Sequence, residues 1–360
     1  MKIIIGGDVS VKQDCCQLFE SADHKSLFND VLTEFEEADR VIINLECAVT
    51  DKNTPIKKIG PNLNAPINTV KALKNAGVTD CVLANNHIFD FGVSGVKDTI
   101  EQLEKHEINY TGYGKNEQDA RKNLILTDGK IKIAVIAVCE HEYSYALPNR
   151  EGARAYDPYD TTDDIIEAKK IADYVIVIYH GGKENCRYPS PRLLKACRSM
   201  VKHGANVVLC QHSHCIGCYE NYENGHILYG QGNFHFVCKK YEDPTDNGYM
   251  WNTGLLVKLD IQDTLKIEFI PTVVDGASIR LANSDESKKL LSELNERSKT
   301  LLDGTYYEHF KKFALSQQRY LIFPKEHYEE IAHYFDCEAH YDMCKEIYKT
   351  LNHTNEINNK

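Results

Sequence analysis

Residues 174–180 read YVIVIYH, a run of Val, Ile and Tyr that stops at a histidine. Short, nearly continuous β-branched text of this kind is how a strand buried on both faces reads. The same text recurs on either side of it: IIIGGD ends at Asp8, VIINLE at Glu46, CVLANNH at His87 and VVLCQHSH at His214. In an open α/β sheet, ligands bind in the crevice outside the carboxyl ends of the strands. Five polar clusters at strand ends are therefore expected to converge on one pocket.

Around these runs the chain alternates strand-like and amphipathic text to about residue 260, the pattern of strand-helix-strand units. Strands are expected at Lys2 to Ile5, Arg40 to Asn44, Cys81 to Ala84, Lys132 to Val138, Tyr174 to Tyr179 and Asn206 to Cys210. Helices are expected at Ile67 to Ala76, Val93 to His106 and Ser190 to His203, the first and third stopping at Gly77 and Gly204. After Gly217 shorter segments follow, at Tyr219 to Glu223, His226 to Tyr229, Gly254 to Ile261 and Leu265 to Pro271. They read as antiparallel sheet, and packing it beside the parallel one gives two layers of strands with helices outside. From about residue 280 the text is charged and helical, at Glu286 to Leu302, Tyr306 to Gln318 and Lys325 to Thr350.

A chain of 360 residues exceeds the roughly 250–300 at which a single core stops growing. The expected division is a main domain over 1–275 and a helical region over 276–360. With 42% hydrophobic and 26% charged residues, the composition is that of a globular protein. The net charge of -11 argues against nucleic acid as a partner and gives no general attraction for a polyanion. No run of about 18 apolar residues is present to span a membrane. Thirteen cysteines, several inside strand-like runs (Cys81, Cys139, Cys210), read as reduced, packed thiols and point to the cytoplasm. Cys215-Ile-Gly-Cys218 has no second pair at zinc-finger spacing and reads the same way. Tyr328, His333, Tyr334, His340 and Tyr341 recur near helical spacing and read as a core-facing or partner-facing stripe.

Asp8, Glu46, Asn86, His87, His180, His212 and His214 together offer carboxylate, amide and imidazole donors. This mixture suits Mn, Zn, Fe or Mg rather than a thiolate site. Any one histidine alone is more often a surface or hydrogen-bonded core residue, and it is the set in order along the chain that reverses this reading.

The blocks resemble the capsule synthesis protein CapA family of poly-gamma-glutamate biosynthesis, built on the calcineurin-like metallophosphatase fold. The matching text is GGD8, NLE46, ANNHIFDFG (Ala84 to Gly92), YHGGKE (Tyr179 to Glu184), QHSH (Gln211 to His214) and LYGQGNFHF (Leu228 to Phe236). The resemblance covers about two-thirds of the chain and implies a four-layer α/β/β/α sandwich with a C-terminal helical appendage. It implies one or two divalent ions, with Glu46 bridging, Asp8 and His214 on one ion, and Asn86, His180 and His212 on the other. His87 would be the general acid and Asp90 its orienting carboxylate. Ser10, Asn44, Asn85, Glu184 and Asn233 would line the pocket behind them. Two departures from the family's pattern stand out: Ser10 occupies a position usually held by histidine, and Glu46 replaces a shorter aspartate.

The resemblance implies a hydrolase in which metal-activated water attacks a phosphoester or a bond in an anionic, poly-gamma-glutamate-like polymer. The second reading, favoured by Ser10, is an accessory protein that binds an anionic chain without cutting it. The third is a scaffold whose C-terminal helices dock a partner.

Overall fold

The computed structural model describes residues 1–140, 143–241, 246–317 and 337–358. Much of the expected Lys325 to Thr350 helix, with Tyr328, His333 and Tyr334, lies outside the described residues.

The Ile3-Ile4-Ile5 run opens a strand, Lys2–Val9, that is buried along nearly its whole length and lies at the centre of the first sheet. In parallel with it on one side run Arg40–Leu45, Asp80–Val82 and Asn109–Thr111. On the other side Thr253–Ile261, Leu265–Asp275 and Ser278–Leu281 follow as an antiparallel meander. The short strand Asn233–His235 joins the carboxyl end of Lys2–Val9, pairing Asp8 with Asn233.

In the second sheet Tyr174–His180 lies between Lys132–Cys139 and Val207–Gln211, all parallel. The edges are Leu124–Thr127 on one side and the hairpin Tyr219–Tyr222/Gly225–Leu228 on the other. The structure thus corrects one expectation. The parallel strands are divided between two sheets, and the antiparallel segments extend both instead of forming a layer of their own. A run buried on both faces reads alike in either sheet, so periodicity alone does not assign it.

Alternation along the strands makes the layers. Ile133, Val135, Ala137, Ile176 and Ile178 pack in one core with Ile3 to Ile5 and Val41 to Ile43 of the first sheet. The intervening Ala134, Ile136, Val138, Val175, Val177 and Tyr179 meet Ile165, Ala168, Leu193, Cys197 and Met200. Those residues belong to the helices Pro158–Ile171 and Pro191–Lys202, each started by a capping Asp157 or Ser190 and a proline at N1. Gln13–Glu20, His24–Phe28, Val31–Glu36 and Thr69–Asn75 bring Phe19, Phe28, Phe35, Val70 and Leu73 to the first sheet. The result is a four-layer α/β/β/α sandwich.

The C-terminal helices are docked on this body. Ser284–Asp303 starts in a capping box made by Asn283 and Glu286 and ends at left-handed Gly304. It sets Leu290 and Leu294 on the first core and Leu301 on the second. Tyr306–Ser316 and Glu338–Asn358 close a small cluster of Phe310, Ala314, Met343 and Ile347 over Cys186. All thirteen cysteines are free thiols, and Cys215 and Cys218 are buried as packed groups.

The junction of Lys2–Val9, Asn233–His235 and Thr253–Ile261 has no room for side chains at two glycines. A Cβ on Gly7 would overlap the Gly232 carbonyl oxygen, and one on Gly254 the Asn233 carbonyl oxygen. Gly254→Ala is expected to lower the unfolding free energy by roughly 2–3 kcal/mol in urea titration, because backbone blocks the way rather than a movable side chain. His235, fully buried beside the rings of Phe19 and Phe28 at 5.0 and 5.6 Å, gives a second expectation. Burial pushes its pKa down to about 4, against backbone hydrogen bonding at His235 and Ala277. Its contribution vanishes when both states are neutral, above the unfolded value near 6.5. As pH falls from 6.5 through 4 the unfolded chain takes the proton first, and stability falls by about 3 kcal/mol. A pH series of urea midpoints is expected to show this loss, and His235→Phe to remove it.

Candidate metal centre

Every donor of the site stands at the carboxyl end of a parallel strand or just beyond it. Asp8 lies in Lys2–Val9, Glu46 directly follows Arg40–Leu45, His180 closes Tyr174–His180, and His212 and His214 follow Val207–Gln211. The two sheets present these ends to the same crevice. All five side chains are buried, none exceeding 4% exposure. Ligand atoms of Glu46, His180 and His212 lie within 4.8 Å of one another, and so do those of Asp8, Glu46 and His214. The two triads share Glu46. His212 and His214 reach the crevice from left-handed backbone, with φ of 76° and 52°. Such conformations are uncommon outside glycine, and two so close together mark a turn bent to aim side chains.

Hydrogen bonds fix the donors. Asn44 Nδ2 donates to Asp8 Oδ1 at 2.7 Å and lies 2.9 Å from His180 Nδ1. The His212 backbone N–H donates to Asp8 Oδ2 at 2.9 Å. His180 Nε2 is 2.9 Å from Asn86 Oδ1 and 3.4 Å from Glu46 Oε1, so Asn86 joins the Glu46 side of the cluster. His214 Nδ1 is 2.8 Å from Asn233 Oδ1 and 3.5 Å from Asp8 Oδ2. Asn85 donates to Asn44 Oδ1 at 3.0 Å and accepts from the backbone N–H groups of His87 and Ile88, which shapes the Asn86-His87 turn. Burial alone would raise the Asp8 carboxyl. The hydrogen bond and charge of His180, the charge of His214 and the Asn44 donor outweigh it and hold the pKa at about 2.

His87 Nδ1 lies 2.6 Å from Asp90 Oδ2, and Asp90 Oδ2 also accepts the Leu63 N–H at 2.6 Å. Lys58 completes this group. Its ammonium ion-pairs with Asp90 Oδ1 and reaches the Asn86 carbonyl at 3.3 Å. Lys58 was not singled out in the sequence, because it sits in a segment, DKNTPIKKIGPN, with no strand-end pattern. Glu140 was missed as well. It is buried, accepts from Tyr179 Oη and Arg192 and from the Ala339 N–H, and its own N–H donates to the His180 carbonyl. Burial raises its pKa, but the Arg192 charge, with Tyr179 and His212, brings it below the usual carboxylate range. Its signal in the sequence is its place directly after the apolar strand Lys132–Cys139.

The structure gathers Asp8, Glu46, Asn86, His180, His212 and His214, with Asn44, Asn85 and Asn233 behind them and His87 and Asp90 beside them. Glu184 differs, being half-buried on the loop after His180 rather than among the buried donors. Ser10 is fully buried, and its Oγ has no hydrogen-bond partner among the described residues.

These residues fit a divalent cation. Two carboxylates buried together are costly unless positive charge accompanies them, and three imidazoles and an amide oxygen converge on the same point. The buried Ser10 hydroxyl, two residues after Asp8 in the chain, is left without a hydrogen-bond partner among the described residues. The buried Asp, Glu and His groups can hold a metal ion.

The cluster thus stands at the strand ends of a two-sheet sandwich. The profile of the bacterial capsule synthesis protein PGA_cap matches residues 2–237, and the chain belongs to that family. The capsule biosynthesis protein CapA of Bacillus anthracis is 30% identical over 239 residues, 64% of this chain and 58% of that one. The PGA biosynthesis protein CapA of Bacillus subtilis (strain 168) is 31% identical over 234 residues, 64% and 62% of the two chains. A Mycobacterium tuberculosis protein named as a polyglutamine synthesis accessory protein is 24% identical over 286 residues, 72% and 73% of the two. The matches thus span about three fifths of the length of the two CapA proteins. Among the described residues no helix is long and apolar enough to cross a membrane.

Metal content after loading with Mn or Zn and desalting tests the cluster. His212→Ala is expected to lose bound metal. Asn44→Ala, which unties Asp8 from His180, is expected to weaken binding about 10–100-fold while the fold persists by circular dichroism.

Proposed function

We propose that this chain is a metal-dependent hydrolase of the CapA type, acting on a phosphoester or on an anionic polymer resembling poly-gamma-glutamate. One observation carries the reading: two buried donor triads share Glu46, and a His87–Asp90 pair stands at the same strand ends. In this reading Asp8 and His214 hold one ion, Asn86, His180 and His212 hold the other, and Glu46 serves both. When bound, divalent cations supply Lewis acidity at the scissile group and make water acidic enough to attack near neutral pH.

The chain's own residues do the rest. Asp90 accepts a hydrogen bond from His87 Nδ1–H, which fixes the ring and leaves Nε2–H to protonate the departing atom. Lys58 neutralises Asp90 and ties it to the Asn86 carbonyl, so the general acid and a donor move as one unit. Burial of the cluster excludes bulk water and strengthens each charge interaction. Cations in the crevice would offset the repulsion between an acidic protein and an anionic substrate.

The orphaned Ser10 hydroxyl supports a second reading, an accessory protein of capsule polymer synthesis that binds an anionic chain without cutting it, since an imidazole donor is missing there. Turnover separates the two. With metal-loaded protein, an aryl phosphate and poly-gamma-glutamate are offered as substrates. His87→Ala is expected to lower kcat about 10²–10⁴-fold with metal content unchanged. Metal-loaded wild type that cleaves neither compound, or a His87→Ala variant as fast as wild type, would reject the hydrolase.

A further inference from the structure

Lys12 is a cation that the chain itself does not use. It precedes the helix Gln13–Glu20, two residues after Ser10 and four after Asp8, and is half-buried. Among the described residues its ammonium has no carboxylate in ion-pair range and no hydrogen bond. Its contact is with the Phe236 ring, 5.8 Å from the centroid. That ring is 5.2 Å from the His214 ring and 4.9 Å from Trp251, so one aromatic group touches both Lys12 and a donor of the metal cluster. Burial pushes the Lys12 pKa down against the pull of Cys238, Cys47, Glu46 and Asp90. The ammonium therefore feels the shared carboxylate of the cluster and the carboxylate behind His87, without being paired to either.

Two further features converge here. Lys12 lines an open cavity of about 290 Å³ in which it is the cation among the lining residues, and Glu20 and Asp51 are its acids. Leu63 lines it too, and the Leu63 N–H is the one that holds Asp90, so the cavity wall continues into the His87–Asp90 pair. The second feature is Ser10, two residues before Lys12 in the chain, whose buried hydroxyl has no hydrogen-bond partner among the described residues. An unpaired, partly desolvated ammonium in a protein of net charge -11 is the arrangement that a ligand anion completes.

We propose that Lys12 and the cavity it lines form a subsite for an anionic oxygen group of the substrate, a carboxylate or phosphate next to the bond held at the metal centre. The inference rests on the proposed function for the identity of the neighbouring site, but not on turnover. Lys12 is a binding residue here, reaching the ligand directly, and the acids of the same cavity restrict the anion to the lysine's end.

Calorimetry on the full, Mn-loaded chain tests this with two probes, inorganic phosphate and a tri-gamma-glutamyl peptide. Lys12→Met is expected to raise Kd about tenfold for at least one probe, and Lys12→Arg to stay within about threefold of wild type, with Mn content equal in all three. Loss confined to phosphate assigns the subsite to a phosphoester. Loss confined to the peptide assigns it to a polymer of carboxylates. Wild-type affinity of Lys12→Met for both probes overturns the proposal, and so does wild type that binds neither. Lys12-dependent binding without cleavage of any substrate would remove the hydrolase reading and leave this one standing.

Discussion

Two carboxylates, Asp8 and Glu46, are sealed between the sheets, and much of the surrounding structure answers the electrostatic problem they create. Neither is exposed to water, so their charge has to be met by dipoles and imidazoles around them. Asn44, the His212 backbone N–H and the His180 and His214 rings are drawn to Asp8, and the same rings face Glu46. The left-handed turns at His212 and His214 and the close approach of backbone at Gly7 and Gly254 are the local distortions that let these groups meet. Strain of about 1–3 kcal/mol per distorted residue is sustainable where the surrounding core over-determines the geometry.

The parts of the fold that could be read from sequence were those decided by local pattern. The strands ending at Asp8, Glu46 and His180 stand within a few residues of their expected limits, because unbroken Val and Ile text leaves little alternative to a doubly buried strand. Ser190 with Pro191, and Gly204 after His203, marked both ends of their helix. Sheet membership was not legible, since Lys132–Cys139 and Arg40–Leu45 have the same texture and only long-range pairing separates them. The helices before residue 40 were not anticipated, being short and broken by charged residues.

The site was legible as a ligand set because each donor ends a strand, and strand ends share a direction. Lys58, Lys12 and Glu140 escaped for the opposite reason. The first lies in a long irregular stretch, the second beyond a strand end, and the third accepts from the Ala339 N–H, 199 residues away. Contacts of that kind depend on how distant segments pack, which no local period encodes. The C-terminal helices illustrate it: Glu140 accepts the Ala339 N–H, Asp342 takes Ser190 and Arg192, and His340 stands 3.4 Å from Lys183. They are fastened to the loop that follows His180.

The family profile ends at residue 237, yet the first sheet does not. Thr253–Ile261 is hydrogen-bonded along the flank of Lys2–Val9, and two more strands are stacked outward from it. A polypeptide cut at the profile's border would leave the Asp8 strand with a bare, apolar flank, inviting intermolecular pairing. The stretch that the family profile matches and the stretch that the first sheet spans therefore have different borders. Residues beyond the shared stretch are part of what keeps the acidic pocket closed.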